Sequence, residues 1–131
     1  VARCTLETRG KTMQSYRDLE IYQLSHNLAI EVHKMSLELP KFELYEEGSQ
    51  IRRSSKAISA NIVEGFGRRR YKADYVKFLI YAHSSCDETR EHFMYLFETK
   101  SLKNEALYNM VLEECDKLSR KINKFIQAVD G

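Results

Sequence analysis

Tryptophan is absent from the 131 residues, proline occurs once, at Pro40, and glycine only five times. With so few breakers, long uninterrupted helices are the economical reading. Cysteine is nearly as scarce: Cys4, Cys86 and Cys115 are widely spaced, odd in number and never in a CxxC pair. That speaks against a disulfide framework or a zinc ribbon and makes a reducing cytoplasm the expected setting. No apolar run approaches the ~20 residues needed to cross a bilayer. The N-terminus lacks the apolar block of a signal peptide, so no membrane partner is expected.

What is present is ordinary in amount and uneven in placement. The chain is 43% hydrophobic and 31% charged, and its length suits one domain that buries a core without metal or disulfide staples. From residue 52 to residue 72, seven basic side chains (Arg52, Arg53, Lys56, Arg68, Arg69, Arg70 and Lys72) face one acidic one, Glu64. That segment carries +6 while the whole chain carries +2, leaving −4 for the remainder. Such polarity is a statement about partners rather than about fold.

Residues 1–15 read as a flexible arm: 1–12 show no helical periodicity, mix Arg3, Arg9 and Lys11 with polar residues, and include a possible leader ahead of Met13. Residues 16–131 read as one helical domain. A first helix is expected from about Asp18, as N-cap, to Leu39, stopped by Pro40, with Leu19, Ile21, Tyr22, Leu28, Ala29, Val32 and Met35 as its buried face. His26 and His33, seven apart, share a face of it. After an acidic connector, 41–47, Gly48 or Ser49 caps a second helix whose narrow core stripe is Ile51, Ser55, Ile58, Ile62 and Gly65. Gly65 and Gly67 are read as its left-handed C-terminal stop. A third helix over 72–99 has Tyr75, Leu79, Ala82, Cys86, Thr89, Phe93 and Leu96 on its core face. A fourth, over 104–129, has Leu107, Val111, Leu118, Ile122, Phe125 and Val129. Four helices of similar length with short connectors predict an all-α, antiparallel up-down-up-down four-helix bundle.

Bundles invite a di-iron reading, which needs two Glu-x-x-His pairs. None occurs, and Glu88 and His92 are four apart. Ser84, Ser85 and Cys86 lie beside His83, but neighbours along a helix point apart and cannot share a proton. Gly65-Phe66-Gly67-Arg68 lacks the lysine and hydroxyl spacing of a phosphate-cradling loop. No catalytic residue, metal or cofactor is expected. A polar stripe of Ser54, Asn61 and Glu64 serves either a partner or the bundle itself, through bonds to Ser85, Glu88 or helix-end backbone. The seven basic residues either neutralise phosphates, with Phe66 and Tyr71 available for stacking, or pair with acidic residues of another subunit.

The run Gln50-Ile51-Arg52-Arg53, the element Asn61-Ile62-Val63-Glu64-Gly65-Phe66-Gly67-Arg68, and Ser85 with Glu88 carry a resemblance. So do Tyr16-Arg17-Asp18-Leu19 with Tyr22, and Leu39-Pro40 with Glu43. Over residues 16–126 the chain resembles the small bacterial four-helix bundle proteins encoded by intervening sequences within 23S rRNA genes. The resemblance implies a ring, commonly a homopentamer, with Gln50, Asn61, Glu64, Gly65, Gly67, Ser85 and Glu88 as family motif positions of structural role. The chain is also similar to accessory proteins of diversity-generating retroelements, basic pentameric bundles that bind nucleic acid and a reverse transcriptase. It departs from the pattern at Glu46-Glu47, where a Gly-Leu pair is usual, at Ser84, usually glycine, and at Arg90, often acidic. The expected function is thus non-enzymatic binding of structured RNA or DNA by an oligomer, or a scaffold ring that docks a partner enzyme.

Overall fold

The computed structural model describes residues 7–8, 11–12 and 15–131. Near the start, β1 (Glu7–Thr8) pairs antiparallel with β2 (Lys11–Thr12), Glu7 opposite Thr12 and Thr8 opposite Lys11. Apart from Ser15, the rest of the expected arm lies outside the described residues. From residue 15 onward the fold is four helices: α1 (Glu20–Ser36), α2 (Glu47–Gly67), α3 (Lys72–Glu98) and α4 (Glu105–Asp130). It is the expected all-α four-helix arrangement. The largest fully buried side chains, among them Tyr75, Phe93, Leu28, Ile51, Ile58, Ile62, Leu79 and Leu118, come from all four helices and form one core.

Helix boundaries differ from expectation where the chain finds tighter local solutions. Asp18 does not cap α1; it closes a 310 turn (Tyr16–Asp18) in a capping box with Ser15, and extended Leu19 precedes the helix. At the other end α1 stops at Ser36. Leu37, Glu38 and Leu39 donate their N–H groups three residues back, to Lys34, Met35 and Ser36. This tightening fits the bar that Pro40 places on a helical conformation at Leu39.

Two glycines owe their positions to close approach rather than to left-handed turns. Gly48 is buried inside the first turn of α2, where a Cβ would lie 2.4 Å from the Glu43 carbonyl oxygen. Gly65 is also inside α2 and does not stop it: a Cβ there would meet Phe78 Cβ at 3.1 Å and the Tyr75 ring at 3.3 Å. Gly67 faces open space, and Arg68, at φ −104°, ends the helix. The left-handed residue is Lys100, at φ 68°, after α3.

Polar groups tie the helices at specific heights. In the buried α2–α3 seam the Thr89 and Ser54 hydroxyls lie 2.9 Å apart, and Thr89 Oγ1 is 2.8 Å from the Ser85 carbonyl. Between α3 and α4, Cys86 Sγ donates to the Cys115 carbonyl at 3.4 Å. Contact with Cys115, then burial, pushes the Cys86 thiol well above its ordinary range, which marks it as inert packing. Between α1 and α4, a groove of about 200 Å³ is lined by Leu24, Leu28, Glu31, Glu114, Lys117 and Leu118. Burial raises the Glu114 carboxyl, Glu31 adds to the rise, and Lys117 offsets part of it.

Two predictions follow from this geometry. Gly48→Ala costs about 1–3 kcal/mol, because a backbone carbonyl must move, whereas Gly67→Ala stabilises by about 0.5–1 kcal/mol by narrowing the unfolded ensemble; opposite shifts of the urea midpoint check the pair. A carboxyl raised in the folded state binds its proton more tightly there, so its contribution is present at low pH and lost as pH rises through the raised value. Glu114→Gln therefore melts at a higher temperature than the parent chain at pH 7, and the difference closes below about pH 4; thermal melts across pH measure it.

Candidate nucleic-acid interface

The seven basic residues do not form one ridge. Arg52 turns inward: Nη1 donates to Ser36 Oγ at 3.1 Å and Nη2 to the Leu44 carbonyl at 2.7 Å. It clamps the end of α1 and the connector's 310 turn (Lys41–Leu44) to α2. Arg53 and Lys56 stay exposed on α2. At about 1.5 Å rise per residue, Arg53 lies roughly 22 Å from Arg68 along the axis. The basic sequence segment thus divides into an inward clamp, an isolated pair and a cluster at the α2–α3 turn.

That turn is built by hydrogen bonds. The Arg68 N–H donates to the Gly65 carbonyl, Arg69 N–H to Phe66, and Tyr71 N–H to Arg68 at 2.9 Å, closing a tight reversal whose central residues are Arg69 and Arg70. Arg68 is held within the protein. Its Nε donates to Glu64 at 2.8 Å, its Nη1 sits 3.6 Å from Asp74, and its guanidinium lies 5.0 Å from the Phe78 ring centroid. The hydrogen bond it donates to Glu64 raises its already high pKa.

The Arg69 guanidinium sits over the Phe66 ring, 3.9 Å from its centroid, and donates Nη1 to the Phe66 carbonyl at 2.8 Å. A guanidinium has five N–H donors, so this leaves most of its fork free. Arg70 and Lys72 are exposed, and neither they nor Arg69 form an ion pair among the described residues. Three cations therefore stand together without internal compensation. The core beneath them is aromatic: Tyr75 packs edge-on against Phe66 and Phe125. Burial pushes the Tyr75 hydroxyl far up, and the Arg69 charge pulls it back only in part.

Of the two rings expected to be available for stacking, Phe66 is not. It is 4% exposed and roofed by Arg69, because its position on α2 faces α3 and α4 once Gly65 lets the helices close. Tyr71, at 63% exposure, is available.

The family motif positions separate as well. Asn61 Nδ2 donates to the Ala57 carbonyl of its own helix at 2.9 Å, and Glu64 pairs with Arg68. Neither bonds to Ser85 or Glu88, so the expected cross-bundle bonds of this stripe are not formed. Its upper member Ser54 does cross, to Thr89. Gln50 and Glu88 are exposed and Ser85 is half-buried. Glu88 contacts His92 at 3.3 Å.

Two clusters had no local sequence signal beyond Glu88 and His92. His92 Nδ1 lies 2.6 Å from Glu47, which sets the imidazole between a carboxylate of α2 and one of α3. His83 Nε2 lies 3.0 Å from Ser119 Oγ, with Asp87 3.6 Å from Nδ1. The latter set has the composition of a nucleophile, base and orienter. The surrounding backbone N–H groups are consumed inside α3 and α4, and the set ties those helices together. Among the described residues no group of three or more His, Cys, Asp or Glu could hold a metal ion.

The far end of the bundle differs in character. Leu37, Phe42 and Tyr45 are exposed there, beside a groove of about 550 Å³ lined by Met35, Leu39, Pro40, Leu102, Lys103 and Leu107.

A crystal structure of a protein of unknown function from the S23 ribosomal protein family of Bacteroides thetaiotaomicron shares this fold, with a TM-score of 0.74 and 21% sequence identity over 82% of this chain and 95% of that one. No curated protein matches the chain. The model of the 23S rRNA-intervening sequence protein family matches residues 17–124. The Asn61–Arg68 element, its glycines and its arginine turn thus lie inside a family match spanning all of α1, α2 and α3 and most of α4, and the chain belongs to the 23S rRNA-intervening sequence protein family.

Proposed function

We propose that this chain is a non-enzymatic, oligomeric, cytoplasmic protein that binds structured RNA or DNA through the α2–α3 turn. The observation that carries this reading is the group formed by Arg69, Arg70 and Lys72, exposed together and without an ion-pair partner among the described residues. Concentrating like charge costs repulsion, which is offset when these cations bind phosphates and displace the counterions condensed on them. Arg68 has another duty, bracing the turn through Glu64 and Asp74. A sequence resemblance to retroelement accessory proteins would imply the same reading, and the family resemblance read from the sequence would imply assembly as a homopentamer.

A second reading rests on the opposite end. Phe42 and Tyr45 are 67% and 85% exposed at the same end as a groove of mixed lining, with Glu38, Ser101, Lys103 and Asn104 among its apolar residues, and exposed rings of this kind suit a protein partner. A scaffold ring that docks an enzyme would use them, with the basic residues serving subunit contacts.

The test is anisotropy of a labelled RNA hairpin and a DNA duplex across a salt series, with mass measured by light scattering. Under the first reading the parent chain binds with affinity that falls steeply with salt. Replacing Arg69, Arg70 and Lys72 by alanine then flattens the slope of log K against log salt by about two to three while the pentameric mass is kept. If the substitutions dissolve the assembly instead, the basic residues are subunit contacts and the scaffold reading replaces the first. A monomer at micromolar concentration would defeat the assembly part of the proposal.

A further inference from the structure

Three aromatic rings stand near the arginine turn, and their surroundings differ. Phe66 is buried beneath Arg69. Phe78 is half-buried, with Arg68 5.0 Å and Lys77 5.1 Å from its centroid and Tyr81 edge-on at 5.6 Å. Tyr71 is 63% exposed, with the Arg70 guanidinium 5.9 Å from its centroid. Its backbone is nonetheless fixed. The Tyr71 N–H donates to Arg68, and its carbonyl accepts from Tyr75 N–H at 3.0 Å. An apolar ring is therefore held in solvent on a rigid stem, between Arg70 and Lys72, with no role in the core.

Resting on the nucleic-acid reading above, we infer that this turn takes unpaired nucleotides, one base stacking on the Tyr71 ring while Arg69, Arg70 and Lys72 neutralise the adjoining phosphates. Stacking needs an exposed π-face, which single strands, loops and bulges offer and which a duplex hides within its stack. Size points the same way. Arg69, Arg70 and Lys72 fall within four consecutive positions, Lys77 follows on α3, and the next exposed pair on α2, Arg53 and Lys56, sits well down that helix, whereas shape readers of double-stranded RNA track phosphates over about 16 base pairs. A compact patch with one aromatic platform fits a few nucleotides. Because every base has a π-face, the preference is for strandedness rather than sequence.

The experiment uses the full chain and three labelled probes with equal phosphate counts: a single-stranded oligouridylate, the same backbone without bases, and an RNA duplex. Binding is followed by anisotropy for the parent chain and for Tyr71→Ala, Tyr71→Leu, Tyr71→Phe and Tyr45→Ala. The expected result is tightest binding to the oligouridylate. Tyr71→Ala and Tyr71→Leu lose about tenfold or more in affinity for it, with the salt slope and the duplex affinity unchanged. Tyr71→Phe retains the affinity, as does Tyr45→Ala, whose ring is more exposed but lies at the other end. Tyr71→Leu keeps an apolar side chain without a π-face, so a loss caused by unfolding would show in its melting curve. Equal binding of duplex and single strand, indifferent to Tyr71, overturns the inference and leaves the nucleic-acid reading standing. No binding of any probe at low salt overturns both.

Discussion

The close approach of α2 to α3 is the constraint on which the rest depends. It is possible because α2 presents Ser54, Ser55 and Gly65 rather than bulky groups along its buried stripe, and a Cβ at Gly65 would already press on Phe78 and Tyr75. Small residues alone contribute little apolar burial. The seam is therefore completed by Ile51, Ile58 and Ile62 on one side and Leu79 and Phe93 on the other, all 0% exposed, and its height is set by the Ser54–Thr89 contact. Each hydroxyl also lies against a carbonyl of its own helix, Ile51 for Ser54 and Ser85 for Thr89, so their contact joins two locally satisfied groups at one height of the seam. The register of α2 against α3 follows, and with it the position of their connecting turn. Helices this close leave space only for a hydrogen-bonded reversal, which turns Arg69 and Arg70 outward.

The opposite connector is secured by charge. Buried Glu43 accepts from the Glu47 N–H at the start of α2 and from the Ser101 hydroxyl, so its carboxylate sits at the positive end of a helix with a donor from the α3–α4 loop. Arg52 adds the Ser36 hydroxyl and the Leu44 carbonyl. Two of the departures from the family pattern have partners here. Glu47 meets His92 across the α2–α3 seam, and Arg90 donates Nε to Asp116 of α4 at 2.8 Å. Glu47 and Arg90 are each met by a group on a neighbouring helix, and His92 keeps Glu88 as a second carboxylate.

How far the fold was legible follows from which interactions are periodic. The core face of α3 could be read from Tyr75 to Leu96 because seven positions recur at one helical phase and nothing interrupts them. Cys115 was missed although it completes the Val111, Leu118 and Ile122 phase, since a small sulfur side chain carries a weak hydropathy signal. Local propensity makes Gly65 and Gly67 read as helix stops and Gly48 as a helix cap, whereas Gly48 and Gly65 are set by a carbonyl and a ring from elsewhere in the chain. The site was legible as composition and not as geometry. Seven cations in one segment are visible in the sequence, but nothing local tells that Arg52 folds onto the Leu44 carbonyl, that Arg68 is spent on Glu64 and Asp74, or that Phe66 lies beneath Arg69.

Sorting the cations this way separates two ends of the molecule with different chemistry. The arginine turn closes one end of α2, and the exposed Phe42 and Tyr45 lie just before its other end. A helix of that length holds the two surfaces roughly 30 Å apart, several Debye lengths at physiological salt, so a charged ligand on the turn exerts little direct electrostatic influence on a partner at the far end. The turn and the exposed rings are therefore separate surfaces, and the nucleic-acid and scaffold readings compete only over the role of the basic residues. In a closed cyclic assembly every copy of the turn lies at the same height along the symmetry axis, and several weak turn contacts would act on one strand as linked sites. Affinity would then come from their number rather than from the strength of any one, which is the regime in which three cations and one ring per subunit are enough.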